Sequence, residues 1–401
     1  MLIHKLIRIT AGMIALAGSI STTAADEPAD YNERNQLATQ MAAPTVEFKS
    51  SSDIGLLARI HFATHTVDFP RARSFYRMLG YSQGFADFPL TNTHQMARAL
   101  GMFDICQYEL ADGEVMALPG SQNPASIDLL QFKVPFDDTP PYARPNHLGM
   151  AYAAFLTDNF DHDIATLAAN DTAFLSTPFG TAGERFVFFR DPDGVLYKLI
   201  EQANTSNPEQ PNATNSGGQM HIFDMPYLAI NVSDLDDSLA FYARFGYTEV
   251  SPLPQTAGTI EEAKAYGLDR PFRFKGADIS IERGDQHTLR LVQWLDPFDP
   301  EPAYPPPINR IGINRIALLV PDLDRAVAAL KAQDVPFLSN VAHCCSGTET
   351  DNSGIVHAID PDGVFLELVG GLKPRAPAPQ PAGCPPLELK RRTASAVDSA
   401  R

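Results

Sequence analysis

The sequence predicts an α+β fold made of four βαβββ modules. Two observations carry that reading. The chain repeats itself. Each copy also carries the same local signals: an apolar strand runs through an acidic residue into an amphipathic helix, and short strands then close on a tight turn.

The repeat is explicit in four places. "VDFPRARSFYRMLGY" (67–81) aligns with "SDLDDSLAFYARFGY" (233–247). "IDLLQFKVPFD" (127–137) aligns with "LRLVQWLDPFD" (289–299). "LGMAYAAFLTDNFDHDIATL" (148–167) aligns with "IGINRIALLVPDLDRAVAAL" (311–330). The turns "DPDG" at 191–194 and 360–363 close the series in the same order. Modules are expected at about 57–133, 146–202, 224–295 and 310–370.

In the first helix Phe69, Ala72, Tyr76 and Leu79 fall on one face, and Leu235, Ser238, Tyr242 and Phe245 do so in its copy. That spacing reads as core packing. Asp68, Asp234 and Asp322 stand at N-cap positions, and Gly80 and Gly246 suit the C-terminal stop. "RFVFFRD" (185–191) and "ADISIERG" (277–284) alternate as half-buried strands do. The two Asp-Pro-Asp-Gly runs read as hairpin turns.

A chain of 401 residues exceeds one ordinary core. The expected division is a signal peptide at 1–25, a lead-in at 26–50, a first domain at 51–202, a polar linker at 203–219, a second domain at 220–370, and a loose Pro-rich tail at 371–401. The start combines Lys5 and Arg8 with the short apolar run "ITAGMIALAGSI" and small residues near Ala24 and Ala25. This is the pattern of a cleavable secretory signal, so a periplasmic or secreted address is expected, with no membrane span after cleavage. With 31 Lys and Arg against 48 Asp and Glu, the chain lacks the basic face that nucleic-acid binding needs. The expected partner is a small molecule, and the sequence leaves the oligomeric state open. Of the four cysteines, Cys344 and Cys345 are adjacent and would form a strained ring with each other. One of them could pair with Cys384 in an oxidising compartment, and free buried or loop thiols are the alternative.

The strand–Asp–helix segments ending in "FYRMLGY" and "FYARFGY", with the "DPDG" hairpins, resemble the vicinal oxygen chelate superfamily. That superfamily includes glyoxalase I, extradiol dioxygenases and bleomycin-binding proteins. The resemblance covers about residues 57–370. It implies that paired modules curl mixed sheets around cavities. It also implies one divalent metal (Zn, Ni, Mn or Fe) held by imidazole and carboxylates, although some members bind none.

The first and last strands of each module supply the ligands in that family. The matching positions here are His61 and Asp128, Tyr152 and Lys198, Tyr227 and Arg290, and Arg315 and Glu367. Lys and Arg carry no lone pair for a cation. Which modules share a sheet therefore decides the chemistry. If module one faces module four, His61, Asp128, Glu367 and Arg315 meet. His61, Asp128 and Glu367 would then be metal ligands, with Glu367 also the candidate catalytic base and Arg315 a substrate-carboxylate clamp. Tyr152, Lys198, Tyr227 and Arg290 would line the other cavity, which would either bind an anionic ligand or be merely structural. The plain alternative for Glu367 and Lys198 is an ion pair or an outward-facing strand residue. His65 and His147 are spare ligand candidates.

Two functions compete. One is a secreted metal-dependent lyase, isomerase or dioxygenase acting on a small oxygenated substrate. The other is a metal-free protein that sequesters a small molecule. A weaker third possibility gives the tail a role in binding a partner.

Overall fold

The structure is a computed structural model. It describes residues 54–85, 89–118, 126–203, 220–254, 256–281, 288–299, 301–344, 352–373, 379–388 and 390. The expected signal peptide, the expected lead-in and most of the expected linker lie outside the described residues.

Module one runs β1 (Ala58–His65), α1 (Phe69–Met78), β2 (Ser82–Phe85), α2 (His94–Ala99), β3 (Glu109–Ala117) and β4 (Ser126–Val134). Module two runs β5 (Gly149–Thr157), α3 (Phe160–Ala169), β6 (Phe186–Arg190) and β7 (Leu196–Glu201). The first of its three expected closing strands is reduced to isolated bridges at Phe174 and Phe179. Module three runs β8 (Ile222–Asp224), β9 (Tyr227–Asn231), α4 (Leu235–Ala243), β10 (Glu249–Pro252), β11 (Thr256–Gly258), α5 (Ile260–Ala265), β12 (Phe272–Ser280) and β13 (Thr288–Asp296). Module four runs β14 (Gly312–Asp322), α6 (Leu323–Lys331), β15 (Ala342–His343), β16 (Ser353–Ile359) and β17 (Phe365–Gly371).

The caps form as the sequence predicts. Asp68 accepts from the Arg71 backbone N–H, Asp234 from those of Asp236 and Asp237, and Asp322 from that of Arg325. Each bond satisfies a donor that the first helical turn leaves open. Gly80 and Gly246, both at positive φ, follow α1 and α4. The predicted apolar faces of both helices are buried.

Two curled sheets result, and neither follows the halves of the sequence. The eight-stranded sheet has the order β15-β16-β17-β14-β1-β4-β3-β2. The other has the order β10-β12-β13-β9-β5-β7-β6. Module one therefore joins module four through the antiparallel pair β1/β14, and module two joins module three through β5/β9. The two pairing schemes use the same kind of strand edge and the same local hydrogen bonds. Only long-range packing distinguishes them.

The halves are stitched back together between the sheets. Tyr76 of α1 donates its hydroxyl to Asp191 Oδ2 at 2.8 Å, and Tyr242 of α4 does the same to Asp360 Oδ2 at 3.1 Å. The other oxygen of each Asp takes two backbone N–H groups of its own turn: Asp193 and Val195 in one copy, Asp362 and Val364 in the other. The second Asp of each turn reaches the segment before the neighbouring module's helix. Asp193 accepts from Thr66 Oγ1 at 2.5 Å, and Asp362 from the Ser233 backbone N–H at 3.0 Å. The repeated tyrosine and the repeated turn are thus the two halves of one contact. They sit in a core formed by all four module helices and the helix-facing sides of both sheets.

The opposite, inner side of each sheet carries a smaller apolar cluster. Met96, Ala97 and Leu100 from α2 and its C-terminal turn pack on the first sheet, and Ala263 from α5 and Tyr266 at its C-cap on the second. Thr93 and Thr259 cap these two short helices in the same way.

The expected loose tail is docked, so far as it is described. Cys384 is disulfide-bonded to Cys106, not to Cys344 or Cys345. The Leu90 backbone N–H donates to Lys390 O at 2.8 Å, and Thr91 Oγ1 to Glu388 O at 2.6 Å. The tail lies on module one because these bonds satisfy an edge of that module, which composition alone does not encode.

Candidate functional sites on the inner sheet faces

In the first sheet, strand register fixes which side chains meet. Glu367 pairs with His357 on one side and Ala317 on the other, and Ala317 pairs with His61. One step along, Phe365 pairs with Arg315, Arg315 with Ala63, and Ala63 with Asp128. Paired residues share a face. His61, Asp128, Arg315, Glu367 and His357 therefore converge on the inner side.

The Arg315 guanidinium occupies the middle of this group. Nη2 donates to Asp128 Oδ2 at 2.6 Å, and Nε donates to Glu367 Oε2. Nη1 lies 3.3 Å from His65 Nε2. His61 Nε2 is 3.9 Å from Asp128, and His357 Nε2 is 3.5 Å from Glu367. Arg315, Asp128 and Glu367 are all buried.

Burial opposes charge on Arg315, but Glu367 and Asp128 outweigh it and hold the guanidinium firmly protonated. Burial likewise opposes ionisation of Glu367, yet Arg315 and His357 pull its carboxyl well below the usual range. Asp128 shares the same cation, and its desolvation wins, so its carboxyl is raised. Burial lowers His61 and, helped by Arg315, lowers His65 further. Both imidazoles are therefore neutral at pH 7. His61 Nε2, His65 Nδ1, Asp128 Oδ1 and His357 Nδ1 are buried without a hydrogen-bond partner among the described residues. Such groups retain capacity for water or a polar ligand.

The second sheet places different chemistry at the equivalent positions. Lys198 pairs with Phe188 and Ala154, and Arg290 with Asp278 and Ala229. Tyr152 also pairs with Ala229. The Arg290 guanidinium is bidentate to Asp278 at 2.7 and 2.8 Å and lies 3.7 Å over the Tyr227 ring. The Tyr152 and Tyr227 ring centroids are 6.3 Å apart.

Lys198 Nζ sits in an aromatic cage, 4.0 Å from the Phe186 centroid, 5.4 Å from Phe188 and 5.3 Å from Tyr266. It donates to the Tyr266 hydroxyl at 3.4 Å. No carboxylate of the described residues forms an ion pair with it. Burial, followed by the nearby Arg290 charge, pushes its amine down to about 7. Burial also raises the phenols of Tyr152 and Tyr227.

The structure thus gathers His61, Asp128, Arg315 and Glu367 at one centre and Tyr152, Lys198, Tyr227 and Arg290 at the other. His65 joins the first centre. His147 joins neither: it stacks edge-on against Tyr142 and lies 3.5 Å from Asp299. Sequence reasoning missed His357, Asp278 and Tyr266. His357 stands at the same spacing before its turn as Phe188, a difference visible in the aligned repeats. Asp278 and Tyr266 become visible only once β12 and α5 are placed.

The profile of the Glyoxalase/Bleomycin resistance protein/Dioxygenase superfamily matches residues 224–368. The similarity to this superfamily covers residues 224–368, less than half of the 401-residue chain. No curated protein matches it. A glyoxalase I variant from Zea mays superposes with a TM-score of 0.50 at 15% identity, over 78% of this chain and 93% of that one. A second glyoxalase I variant from Zea mays gives 0.50 at 16%, covering 78% and 92%. A putative dioxygenase from Bacillus subtilis gives 0.48 at 11%, covering 79% and 86%. At such identities the likeness to the two Zea mays structures shows the fold alone.

The similarity raises the question of the metal. The residues at the superfamily's expected metal position do not fit a divalent ion. The Arg315 guanidinium lies between Asp128 and Glu367, uses an oxygen of each, and would repel the ion. Among the described residues, the groups whose donor atoms do converge are His162, Asp163 and His221, and His147, Asp299 and Glu301. Neither group belongs to an inner-face centre.

Proposed function

We propose that this protein is secreted and binds a small organic anion at the inner face of its second sheet, with no metal taking part in that binding. The observation that carries this is Lys198, a buried amine caged by aromatic rings with no ion-paired carboxylate. Glu262 is the carboxylate that acts on this amine, and it does so without a direct ion pair; burying a cation so weakly compensated costs several kcal/mol, and a bound carboxylate would offset that cost. The surrounding rings would receive the apolar part of the ligand. The amino-terminal signal pattern and the Cys106–Cys384 disulfide support the secreted address.

This reading is preferred to a metal-dependent lyase, isomerase or dioxygenase because Arg315 stands where the metal would. Glu367 then serves as the partner of Arg315 rather than as a free base.

The test is calorimetry and thermal melting with benzoate, phenylacetate and pyruvate as probes. At least one should bind the wild type, and Lys198→Met should abolish that binding while Glu367→Gln leaves it. No binding by any probe, or equal binding by Lys198→Met, would sink the anion site. A stoichiometric metal that His61→Ala removes would overturn the preference over a metal-dependent enzyme.

A further inference from the structure

We propose that His162, Asp163 and His221 form a divalent transition-metal site of the zinc class. The site would clamp the chain leaving the 203–219 linker onto the helix of module two. It lies away from both inner-face centres and does not rest on the function proposed above.

Three residues from two distant segments converge here. His162 and Asp163 lie in the first turn of α3, and His221 stands just before β8. One donor atom from each falls within 4.8 Å of the others. The His162 and His221 rings meet edge-to-face with centroids 4.6 Å apart, and His221 Nδ1 is 3.1 Å from Asp163 Oδ1. Two ligands on one tetrahedral zinc at bond lengths near 2.0 Å stand about 3.3 Å apart, so this contact suits a shared ion as well as a shared proton.

Asp163 is already aimed. It is fully buried, Thr157 Oγ1 donates to its Oδ2 at 2.5 Å, and the His221 backbone N–H donates to both oxygens at 2.9 and 3.1 Å. Outer hydrogen bonds of this kind orient a ligating carboxylate. The charge also calls for a cation. Asp163 is a buried carboxylate held by a hydroxyl and a backbone N–H, and Asp158 adds to the negative field there. Asp161, the other acid of this turn, is taken by Arg185 at 2.8 Å. Two imidazoles and one carboxylate are a borderline ligand set that favours zinc, nickel or copper over magnesium or calcium. His162 is exposed and His221 partly so, which leaves a fourth position open to water.

The competing occupant is a proton, which would make His221 and Asp163 a plain ion pair. The experiment uses the untagged, full secreted chain stripped with a chelator and then given zinc alone, in competition with a chromogenic chelator. Cobalt serves as a second probe, read by its tetrahedral visible bands. One zinc per chain is expected, with a zinc-dependent rise in melting temperature. His162→Ala and His221→Ala should each weaken uptake by about tenfold or more and remove the melting shift. His61→Ala and His147→Ala should leave both unchanged. His162 is exposed, so its variant should fold, and circular dichroism checks this. No zinc uptake by the wild type overturns the proposal. So does uptake that survives both His162→Ala and His221→Ala.

Discussion

Replacing Lys198 with Met should change how stability depends on pH. In the unfolded chain this amine titrates at its ordinary value near 10.5, and in the folded protein it titrates at about 7. Between these values the unfolded state holds a proton that the folded state has shed. Stability therefore rises with pH across the window from about 7 to about 10.5. Below pH 7 both states are protonated, and the whole cost of burying the charge is present. A difference of about 3.5 pKa units corresponds to roughly 5 kcal/mol. The aromatic cage returns part of the charge's cost, about 2 kcal/mol, and that return is already contained in the shift. Met keeps the length and packing of the side chain without the charge. Denaturant unfolding of both proteins from pH 6 to pH 9 isolates Lys198 and the groups coupled to it, chiefly Glu262, because the remaining titrations cancel in the difference. Lys198→Met should be the more stable protein at pH 6. Its advantage should shrink by roughly 3 kcal/mol by pH 9. A difference that stays flat with pH would refute the reasoning, because the amine would then titrate alike in both states.

Three further outcomes follow from contacts already described. Arg315→Ala leaves Asp128 and Glu367 buried without their cation and should cost about 3–5 kcal/mol near pH 7.5, less on acidification, as read by denaturant midpoint. Unchanged stability would mean that the clamp does not hold in solution. Tyr76→Phe removes a donor from buried Asp191 and should cost about 1–3 kcal/mol, with a similar loss for Tyr242→Phe at Asp360. Cys384→Ser should cost about 2–4 kcal/mol and should make the segment beyond residue 379 the first site cut by protease, as should mild reduction of the wild type.

Much of the fold was legible because its signals are local. The spacing of Phe69, Ala72, Tyr76 and Leu79 and the caps at Asp68, Asp234 and Asp322 depend only on near neighbours in the chain. The pairing of β1 with β14 does not. A strand edge carries the same donors whichever partner it meets, so the sequence could name Glu367 and His61 as positions but could not say that they meet. The position of Arg315 between two acids follows only from that pairing. The Cys106–Cys384 bond was hidden for the same reason: Cys106 becomes a neighbour of the tail only after α2 and the Thr91 segment are in place. Lys198 was legible as a departure from the superfamily pattern. Its aromatic cage was not, since Tyr266 arrives from another module.

The crossed pairing of modules has a topological consequence. Each half of the chain contributes one module to each sheet, so neither half owns a sheet. It is an exchange of partners frozen within a single polypeptide. A fragment ending in the linker would carry two open first-strand edges, β1 and β5, each templated for a strand it lacks. Two fragments produced separately should therefore reassemble on mixing, and a lone half should pair with a second copy of itself. The linker serves less as a boundary than as a tether, raising the local concentration of two pieces that already fit.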